Sequence, residues 1–311
     1  MEYEIDGQAY ELNEEWADLP AGDSFVDIGR ICIDADDTVL VLNRSDKPVM
    51  EFSPTGERLS TWGTGYFSDR PHGMGLGPDG AVYCTDDGNH TVRKFTRDGE
   101  LVMTLGTENE PTDTGYRHVS DIFERIASIT HGAGPFNGPT GVTILDSGTI
   151  YVSDGYGNAR IHEFSPEGEL RDSWGAPGPH PGEFRLPHAI THDEENRLWV
   201  TDRENSRIQV FEADGTFIDE WRDVIRPTDL AIADGKVFVS ELCRRLSVFS
   251  TDGELLARWD NRGHPADEPL FYAPHAVAVD STGDIFVGEV PVTIENIDRG
   301  ARTLRKFERM D

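Results

Sequence analysis

Three histidines each follow a proline, in the pairs Pro71–His72, Pro187–His188 and Pro274–His275. Imidazole nitrogens bind transition metals well, and three of them around one ion leave a fourth position open for water or substrate. Zn²⁺ suits such a site best, although Fe, Co or Cu would also accept it. The three histidines therefore predict a metal centre that could acidify a bound water to a pKa of about 7.

Two further side chains could do chemistry beside such a metal. The phrases SDGYGNARI and TDRENSRI place Tyr156 and Arg203 where the matching phrase TDDGNHTV has small polar residues. A tyrosine near a cation can act as a general base, because the cation lowers its pKa from about 10. An arginine can bind a carboxylate or stabilise an oxyanion. Alternatively, Tyr156 packs on a neighbouring sheet and Arg203 pairs with Glu204 or Asp202. Arg30 is a second candidate for binding an anion.

These residues belong to a repeat that runs along the chain. In five places a strand ending in Phe is followed, ten residues later, by Trp or Leu; the pairs are Phe52 and Trp62, Phe95 and Leu105, Phe164 and Trp174, Phe211 and Trp221, and Phe249 and Trp259. Each Phe strand follows a β-rich run such as TVLVLN or TIYVSD, bounded by turn residues. A sixth run, DIFVGE, leads to Phe307. We predict an all-β fold of six four-stranded units.

The sixth unit lacks its last strand, and a matching segment, YELNEEWADL with Trp16, stands near the N-terminus. We expect this N-terminal strand to complete the last sheet and close a ring, since closure buries strand edges. The predicted fold is a six-bladed β-propeller in which residues 1–311 form a single domain. A linear solenoid is the alternative, but it would not need the distant strand.

The innermost strand of five blades is expected to begin with proline. The next residue is histidine in blades two, four and six, and Thr140 or Thr228 in blades three and five. Alternate blades of a sixfold ring stand 120° apart, so three equivalent histidines on them would point at one spot. Any one histidine could be a packed polar residue, but packing has no reason to select every second blade.

Two segments interrupt the repeat. Residues 107–136 intervene between the second and third units, and apolar residues at helical spacing predict a short helix within 116–129. A loop this long is usually functional, so we expect it to cover one face of the propeller. The second interruption is residues 291–302, within the last blade.

Composition excludes several classes of partner. Lys+Arg number 28 against 58 Asp+Glu, for a net charge of −30, which disfavours nucleic acids and anionic membranes and leaves a small-molecule substrate. No apolar run approaches the ~20 residues of a membrane span. The acidic N-terminus lacks a signal pattern, and Cys32, Cys84 and Cys243 fit neither a disulfide framework nor a zinc knuckle. We expect a cytoplasmic protein.

The stretch FNGPTGVTILDSGTIYVSDGYGNARIHEFSPEGELRDSWG and the later GEFRLPHAITHDEENRLWVTDRENSRIQVF resemble the peptidyl-α-hydroxyglycine α-amidating lyases, which are NHL-type six-bladed propellers. The likeness covers most of the chain and is strongest over residues 136–221. It implies a catalytic Zn²⁺ held by His72, His188 and His275. It also implies Tyr156 as base and Arg203 as a polar catalytic group, with Arg30 holding a substrate carboxylate.

The sequence departs from that family in four respects. Gly157, Trp199 and Gln209 occupy positions where secreted members have disulfide cysteines. The family's structural Ca²⁺ uses an Asp directly after the third histidine, and Ala276 stands there, which argues against calcium. Ala273 replaces a Met of the pocket wall, and the 107–136 insertion is extra.

The leading hypothesis is a zinc-dependent lyase that cleaves a C–N or C–O bond of a small, hydroxylated, carboxylate-bearing substrate. A metal-dependent hydrolase, lactonase or hydratase is an alternative from the same site. A non-enzymatic NHL-repeat scaffold, whose face binds a partner protein, is the alternative from a different class, and it predicts no stoichiometric zinc.

Overall fold

The computed structural model describes residues 3–310, and strands dominate it. Six antiparallel sheets follow one another along the chain, five of four strands and a last one of five. This arrangement is the six-bladed β-propeller that the sequence predicts. Residues 1, 2 and 311, which are the ends of the predicted domain, lie outside the described residues.

The chain divides into two compact units of three blades each. One unit is Gly65–Pro227, with blades two, three and four, and the other comprises residues 1–64 and 228–311, with blades one, five and six. The N-terminal strands and the strands of blade one are β1 (Tyr3–Ile5), β2 (Gln8–Asn13), β3 (Ile28–Ile33), β4 (Val39–Asn43), β5 (Val49–Phe52) and β6 (Arg58–Trp62).

The middle of the chain forms blades two to four, with one helix between blades two and three and a small parallel pair before blade four. The elements are β7 (Pro71–Leu76), β8 (Val82–Asp86), β9 (Thr91–Phe95), β10 (Leu101–Leu105), α1 (Ile122–Ala127), β11 (Pro139–Ile144), β12 (Ile150–Asp154), β13 (Arg160–Phe164), β14 (Leu170–Trp174), β15 (Ala176–Pro177), β16 (Glu183–Phe184), β17 (Pro187–His192), β18 (Leu198–Asp202), β19 (Arg207–Phe211) and β20 (Phe217–Trp221). A single 3₁₀ turn, Arg203–Asn205, separates β18 from β19.

Blades five and six follow the same plan. Their elements are β21 (Pro227–Ala233), β22 (Lys236–Glu241), β23 (Arg245–Ser250), β24 (Leu255–Asp260), β25 (Pro274–Val279), β26 (Ile285–Glu289), α2 (Pro291–Glu295) and β27 (Leu304–Arg309). The predicted interruption at 291–302 is α2 together with the start of the 3₁₀ turn Gly300–Thr303.

Proline is the first residue of five inner strands, namely β7, β11, β17, β21 and β25. Proline has no N–H to donate to the ladder, so the first position of a strand is one of the few places in a sheet that tolerates it. The residue that follows each proline is buried in every case. The repeat therefore places the side chain that follows the proline at the same buried position in each of these five blades.

The recurring phenylalanines form the cores between the sheets. Phe52, Phe95, Phe164, Phe211, Phe249 and Phe307 are each at most 3% exposed. Burial of one such side chain contributes about 1.5–3 kcal/mol. The tryptophans ten residues later lie on the outer strands, where Trp174 is opposite Ile161 and Trp221 is opposite Ile208. The ten-residue spacing thus corresponds to the path of the chain from a core Phe, around a turn, to the outer strand of the same blade.

The N-terminal strand completes the last blade, as the sequence predicts. Strand β2 pairs antiparallel with β27, with Leu12 opposite Phe307, and β1 adds a fifth strand outside it. The expectation for Trp16 was wrong in detail, because β2 ends at Asn13 and Trp16 lies beyond it. The Trp16 ring packs instead on Phe52 and Phe286, and its indole N–H donates to the carbonyl of Pro54.

The predicted helix within the 107–136 insertion is present but shorter than its apolar spacing indicates. Asp121 caps α1 by accepting the backbone N–H groups of Phe123 (2.8 Å) and Glu124 (3.0 Å). An aspartate in this role has non-helical backbone angles, so the helix cannot begin before it. Across residues 3–310, neither this helix nor any other is long and apolar enough to cross a membrane.

Candidate metal centre

The three predicted ligands occupy equivalent places in the fold. His72, His188 and His275 are each the second residue of an inner strand, in β7, β17 and β25, and they are 2%, 1% and 4% exposed. One ligand nitrogen of each histidine lies within 4.8 Å of the others. Tetrahedral Zn–N bonds of about 2.1 Å would separate ligand nitrogens by about 3.4 Å, which is within that limit. The donor set and its spacing fit a transition metal.

Backbone carbonyls select the tautomer of two of these histidines. The Nδ1 of His72 lies 2.7 Å from the carbonyl oxygen of Thr140, and the Nδ1 of His275 lies 3.0 Å from that of Gly29. A carbonyl only accepts hydrogen bonds, so each Nδ1 carries the proton and donates it. The lone pair is then on Nε2, which is the nitrogen left to bind a metal.

The threonines in the alternate blades have a structural task. Thr140 donates its hydroxyl to the carbonyl of Pro187 (2.6 Å), and Thr228 donates to that of Pro274 (3.0 Å). Each threonine thereby ties its inner strand to that of the next blade. Contacts between blades account for the two threonines, whereas the three histidines form the donor set of the candidate metal site.

Tyr156 reaches two of the histidines directly. Its phenolic oxygen is 3.3 Å from Nε2 of His72 and 3.3 Å from Nε2 of His188. Tyr156 lies in the turn after β12, and Gly138 borders this turn at φ +86°, where an added Cβ would approach the Tyr156 Cβ at 2.9 Å. The turn therefore leaves the phenol beside the Nε2 atoms of two of the three candidate ligands.

The insertion braces the turn that carries Tyr156. The Thr114 hydroxyl donates to the carbonyl of Gly157 (2.6 Å), and the side-chain amide of Asn137 donates to the carbonyl of Thr112 (2.9 Å). The amide N–H of Gly157 in turn donates to the carbonyl of Asn137 (2.7 Å). Residues of the 107–136 segment are therefore part of the support of Tyr156.

Arg203 joins Tyr156 to a buried ion network. Its Nη1 donates to the Tyr156 oxygen (3.3 Å) and its Nε to Glu204 (2.8 Å), and Arg226 Nη2 also donates to Glu204 (2.7 Å). Burial opposes the charge of Arg203, but Tyr156 and Glu204 outweigh it and raise the Arg203 pKa. Burial likewise opposes the charge of Glu204, and the two arginines hold its pKa below the ordinary value. Arg203 therefore pairs with Glu204, as one interpretation of the sequence expected, and also contacts Tyr156.

Arg30 is the third residue of β3 and forms an ion pair with Asp229 of β21. Asp229 is 1% exposed and also accepts the amide N–H of Val277 (3.0 Å). Burial lowers the Arg30 pKa. The predicted anion-binding residue therefore already holds one carboxylate of the chain, and its binding of a substrate stays a prediction.

Arg70 was missed in the sequence, although it stands directly before the Pro71–His72 pair. Its Nη2 donates to Asp87 (2.8 Å), and its guanidinium lies over the Tyr156 ring, 5.4 Å from the centroid. Arg203 lies 5.5 Å from the centroid of the same ring. Asp87 raises the Arg70 pKa, while burial opposes it. The only signal in the sequence is an arginine immediately before a histidine-bearing strand.

Comparison with known proteins agrees with the fold. A family model of the NHL repeat matches residues 136–164 and 184–211. NHL repeat-containing protein 3 of Mus musculus is 30% identical over 295 aligned positions, and the alignment covers 86% of this chain and 75% of that protein. The chain belongs to the NHL-repeat family.

The relatives also include the lyases that the sequence resembles. Peptidyl-alpha-hydroxyglycine alpha-amidating lyase 1 of Drosophila melanogaster is 34% identical over 186 aligned positions, and the alignment covers 54% of this chain but only 30% of that protein. Among solved structures, virginiamycin B lyase of Staphylococcus aureus aligns with a TM-score of 0.61 at 15% identity, over 97% of this chain and 100% of that one. The latter likeness concerns the fold alone.

Proposed function

We propose that this protein is a zinc-dependent lyase that cleaves a C–N or C–O bond of a small, hydroxylated, carboxylate-bearing molecule. The observation that carries the proposal is the Tyr156 oxygen, 3.3 Å from Nε2 of both His72 and His188. The name of the Drosophila melanogaster relative supports a carbinolamide, in which hydroxyl and amide nitrogen share one carbon. Zinc bound by His72, His188 and His275 would supply a Lewis acid with one open position.

The chain's own groups can then be assigned to steps. Tyr156, as the phenolate, takes the proton of the substrate hydroxyl. The C–O bond becomes a carbonyl, the C–N bond breaks, and its electron pair goes to nitrogen. That nitrogen accepts the proton back from Tyr156, so a carbinolamide yields an amide and an aldehyde acid without any co-reactant. Arg203, which donates to the Tyr156 oxygen, stabilises Tyr156 as the phenolate before it takes this proton. Arg30 binds the substrate carboxylate.

We propose a small anion as the partner of this site, and neither a nucleic acid nor a membrane. The net charge of −30 repels polyanions over the surface as a whole. Arg70 and Arg203 flank the Tyr156 ring, so two cationic groups lie beside the site, and Arg30 remains the residue assigned to the substrate carboxylate. The cytoplasmic setting expected from the sequence belongs to the same proposal.

The test is Tyr156→Phe, with Tyr66→Phe as a matched control at an exposed tyrosine. We expect Tyr156→Phe to bind one zinc per chain and to lose at least about 100-fold in kcat, because general-base catalysis contributes 10²–10⁴-fold. Metal content by elemental analysis and turnover of a carbinolamide are the measurements. Full turnover in Tyr156→Phe would refute the role of Tyr156, and absence of stoichiometric zinc from the wild type would favour a binding scaffold.

A further inference from the structure

The hydrogen bonds of Tyr156 do not by themselves fix the direction of its phenolic oxygen. The oxygen lies 3.3 Å from Nε2 of both His72 and His188, and the phenol has one proton to donate. Arg203 donates to the same oxygen, also at 3.3 Å. All three contacts are long for hydrogen bonds. The position of the phenol therefore depends on the groups that pack against its ring.

Arg70 is one of the groups that face this ring. Its guanidinium carbon lies 5.4 Å from the centroid of the Tyr156 ring. At this distance a cation is attracted to the face of an aromatic ring. The contact must be lost when the ring turns edge-on, so Arg70 opposes rotation of the Tyr156 side chain.

A buried carboxylate holds the Arg70 guanidinium in one orientation. Nε of Arg70 donates to one carboxylate oxygen of Asp87, and Nη2 donates to the other (2.8 Å). Two hydrogen bonds to one carboxylate fix the plane of a guanidinium. The Asp87 side chain is 3% exposed, and its backbone N–H donates to the carbonyl of Arg70 (3.3 Å). Arg70 is therefore a fixed wall beside the Tyr156 ring.

Asp87 and Arg203 occupy equivalent positions in the two blades that flank Tyr156. Asp87 directly follows β8 of blade two, and Arg203 directly follows β18 of blade four. The inner strands of these blades, β7 and β17, both contact β11 of blade three, and the turn after β12 of blade three carries Tyr156. The two equivalent turns therefore both act on Tyr156. Arg203 acts at the oxygen, and Asp87 acts at the ring through Arg70.

We propose that Arg70, held by Asp87, is a positioning residue that keeps the phenolic oxygen of Tyr156 beside the two histidines. This inference deepens the proposed function, because its effect on turnover rests on Tyr156 being the base. Displacement of a reacting group by about 1 Å can lower a rate about 100-fold. Release of the ring should therefore lower kcat. KM should stay unchanged, because the substrate is assigned to neither Arg70 nor Asp87.

Two single variants and their combination test the inference. Arg70→Met removes the guanidinium, Asp87→Asn weakens its anchor, and the double variant leaves no buried charge without its partner. Arg197→Met is the matched control, because Arg197 donates to Asp193 (2.6 Å) with side-chain exposures of 36% and 7%, against 37% and 3% for Arg70 and Asp87. Asp193 follows β17 at the end opposite to His188.

The first measurement is the flip rate of the Tyr156 ring, by NMR of protein made with isotope-labelled tyrosine. The signals of Tyr156 are those that Tyr156→Phe lacks. We expect flips at least about ten-fold faster in Arg70→Met, because the contact with the ring face is lost. Asp87→Asn should change the rate in the same direction. The double variant should match Arg70→Met, since Asp87 acts through Arg70, and Arg197→Met should match the wild type.

Turnover and metal content are the second measurement. We expect kcat for a carbinolamide to fall at least about ten-fold in Arg70→Met and in the double variant, with KM within about two-fold of the wild type. Zinc content should equal that of the wild type, because the replaced residues lie outside the histidine triad. Loss of zinc from Arg70→Met would place the effect on the neighbouring His72 and would overturn the inference.

The outcomes separate this inference from the lyase proposal. Faster flips in Arg70→Met and in the double variant, but not in Arg197→Met, support the positioning role even if the wild type cleaves no carbinolamide, a result that counts against the lyase alone. An unchanged flip rate in Arg70→Met overturns the positioning role even if the protein is an active lyase. An unchanged kcat in an active protein also overturns it.

Discussion

Tyr156 has an unusual set of neighbours for a single side chain. Two imidazole nitrogens lie at 3.3 Å from its oxygen, and two guanidinium groups face its ring. The sequence pointed to Tyr156, His72 and His188 because they occupy special places in a repeat. The sequence did not indicate Arg70, because the stacking of Arg70 on a tyrosine 86 positions later (156 minus 70) leaves no local pattern in the sequence.

At the residue scale, the ligand assignment predicts the metal content of single variants. His188→Ala removes one of three nitrogen donors and should reduce bound zinc from one per chain to nearly none after dialysis. His180→Ala is the matched control, since His180 is exposed and lies outside the triad. Elemental analysis measures both. Unchanged zinc in His188→Ala would mean that the ligands lie elsewhere.

Glu204 predicts an acid-dependent contribution to stability. Its carboxylate is 2% exposed and pairs with Arg203 and Arg226, so Glu204→Gln should lower the free energy of unfolding by about 3 kcal/mol at pH 7. The folded-state pKa of Glu204 is lowered. The contribution is therefore full above the unfolded pKa of about 4.3 and is lost as the pH falls through the folded value.

Urea unfolding at pH 7 and at successively lower pH values checks this prediction. The difference between the wild type and Glu204→Gln should narrow in acid, whereas the exposed Glu254→Gln should track the wild type at every pH. A difference that stays constant, or that grows in acid, would contradict the assigned direction.

At the scale of elements, the inner strands were the easiest part to predict. A proline at the first position and an alternation of histidine and threonine at the second are visible in the letters alone. Local capping was harder to foresee, because Asp121 shortens α1 to Ile122–Ala127 within a longer apolar pattern. The contact of Thr114 with the turn of Tyr156 depends on where the insertion folds back, which no spacing within it encodes.

The hydrogen bonds that the threonines make between blades predict a variant that lowers the stability of the fold without changing its zinc content. Thr140→Val should cost about 1–3 kcal/mol, because the carbonyl of Pro187 loses its hydroxyl donor inside the protein. The Thr140 carbonyl that accepts from His72 remains, so zinc content should not change. Denaturant midpoints and elemental analysis measure the two effects, with Thr140→Ser as the control that retains the hydroxyl. Equal stability of Thr140→Val and the wild type would refute the tie.

At the scale of the whole molecule, the number of blades follows from counting repeats, and pairing of β2 with β27 follows from one missing and one surplus strand. The charge is the other global property. With 58 acidic and 28 basic residues, like-charge repulsion opposes the compact state. The blade number, the closing strand pair and the net charge therefore follow from the amino-acid composition and the spacing of the repeats, without the position of any side chain.

This charge predicts that salt stabilises the protein. Raising KCl from 0.1 M to 1 M shortens the Debye length from about 10 Å to about 3 Å and screens the repulsion. We expect Tm to rise by about 5–10 °C, which corresponds to a few kcal/mol for a chain of this size. Scanning calorimetry across the KCl series measures it. A Tm that is flat or falls with KCl would show that self-repulsion is not a significant cost.

The pairing of β2 with β27 has a consequence for the order of folding. Gln8 donates to the carbonyl of Met310, 302 positions further along the chain. During synthesis the hairpin of β1 and β2 remains unpaired on one edge until β27, Leu304–Arg309, has emerged. Contacts between such distant residues form slowly, because closing a long loop has a high entropic cost. Blade six is therefore the last sheet that can assemble, and the nascent chain carries an exposed strand edge until then.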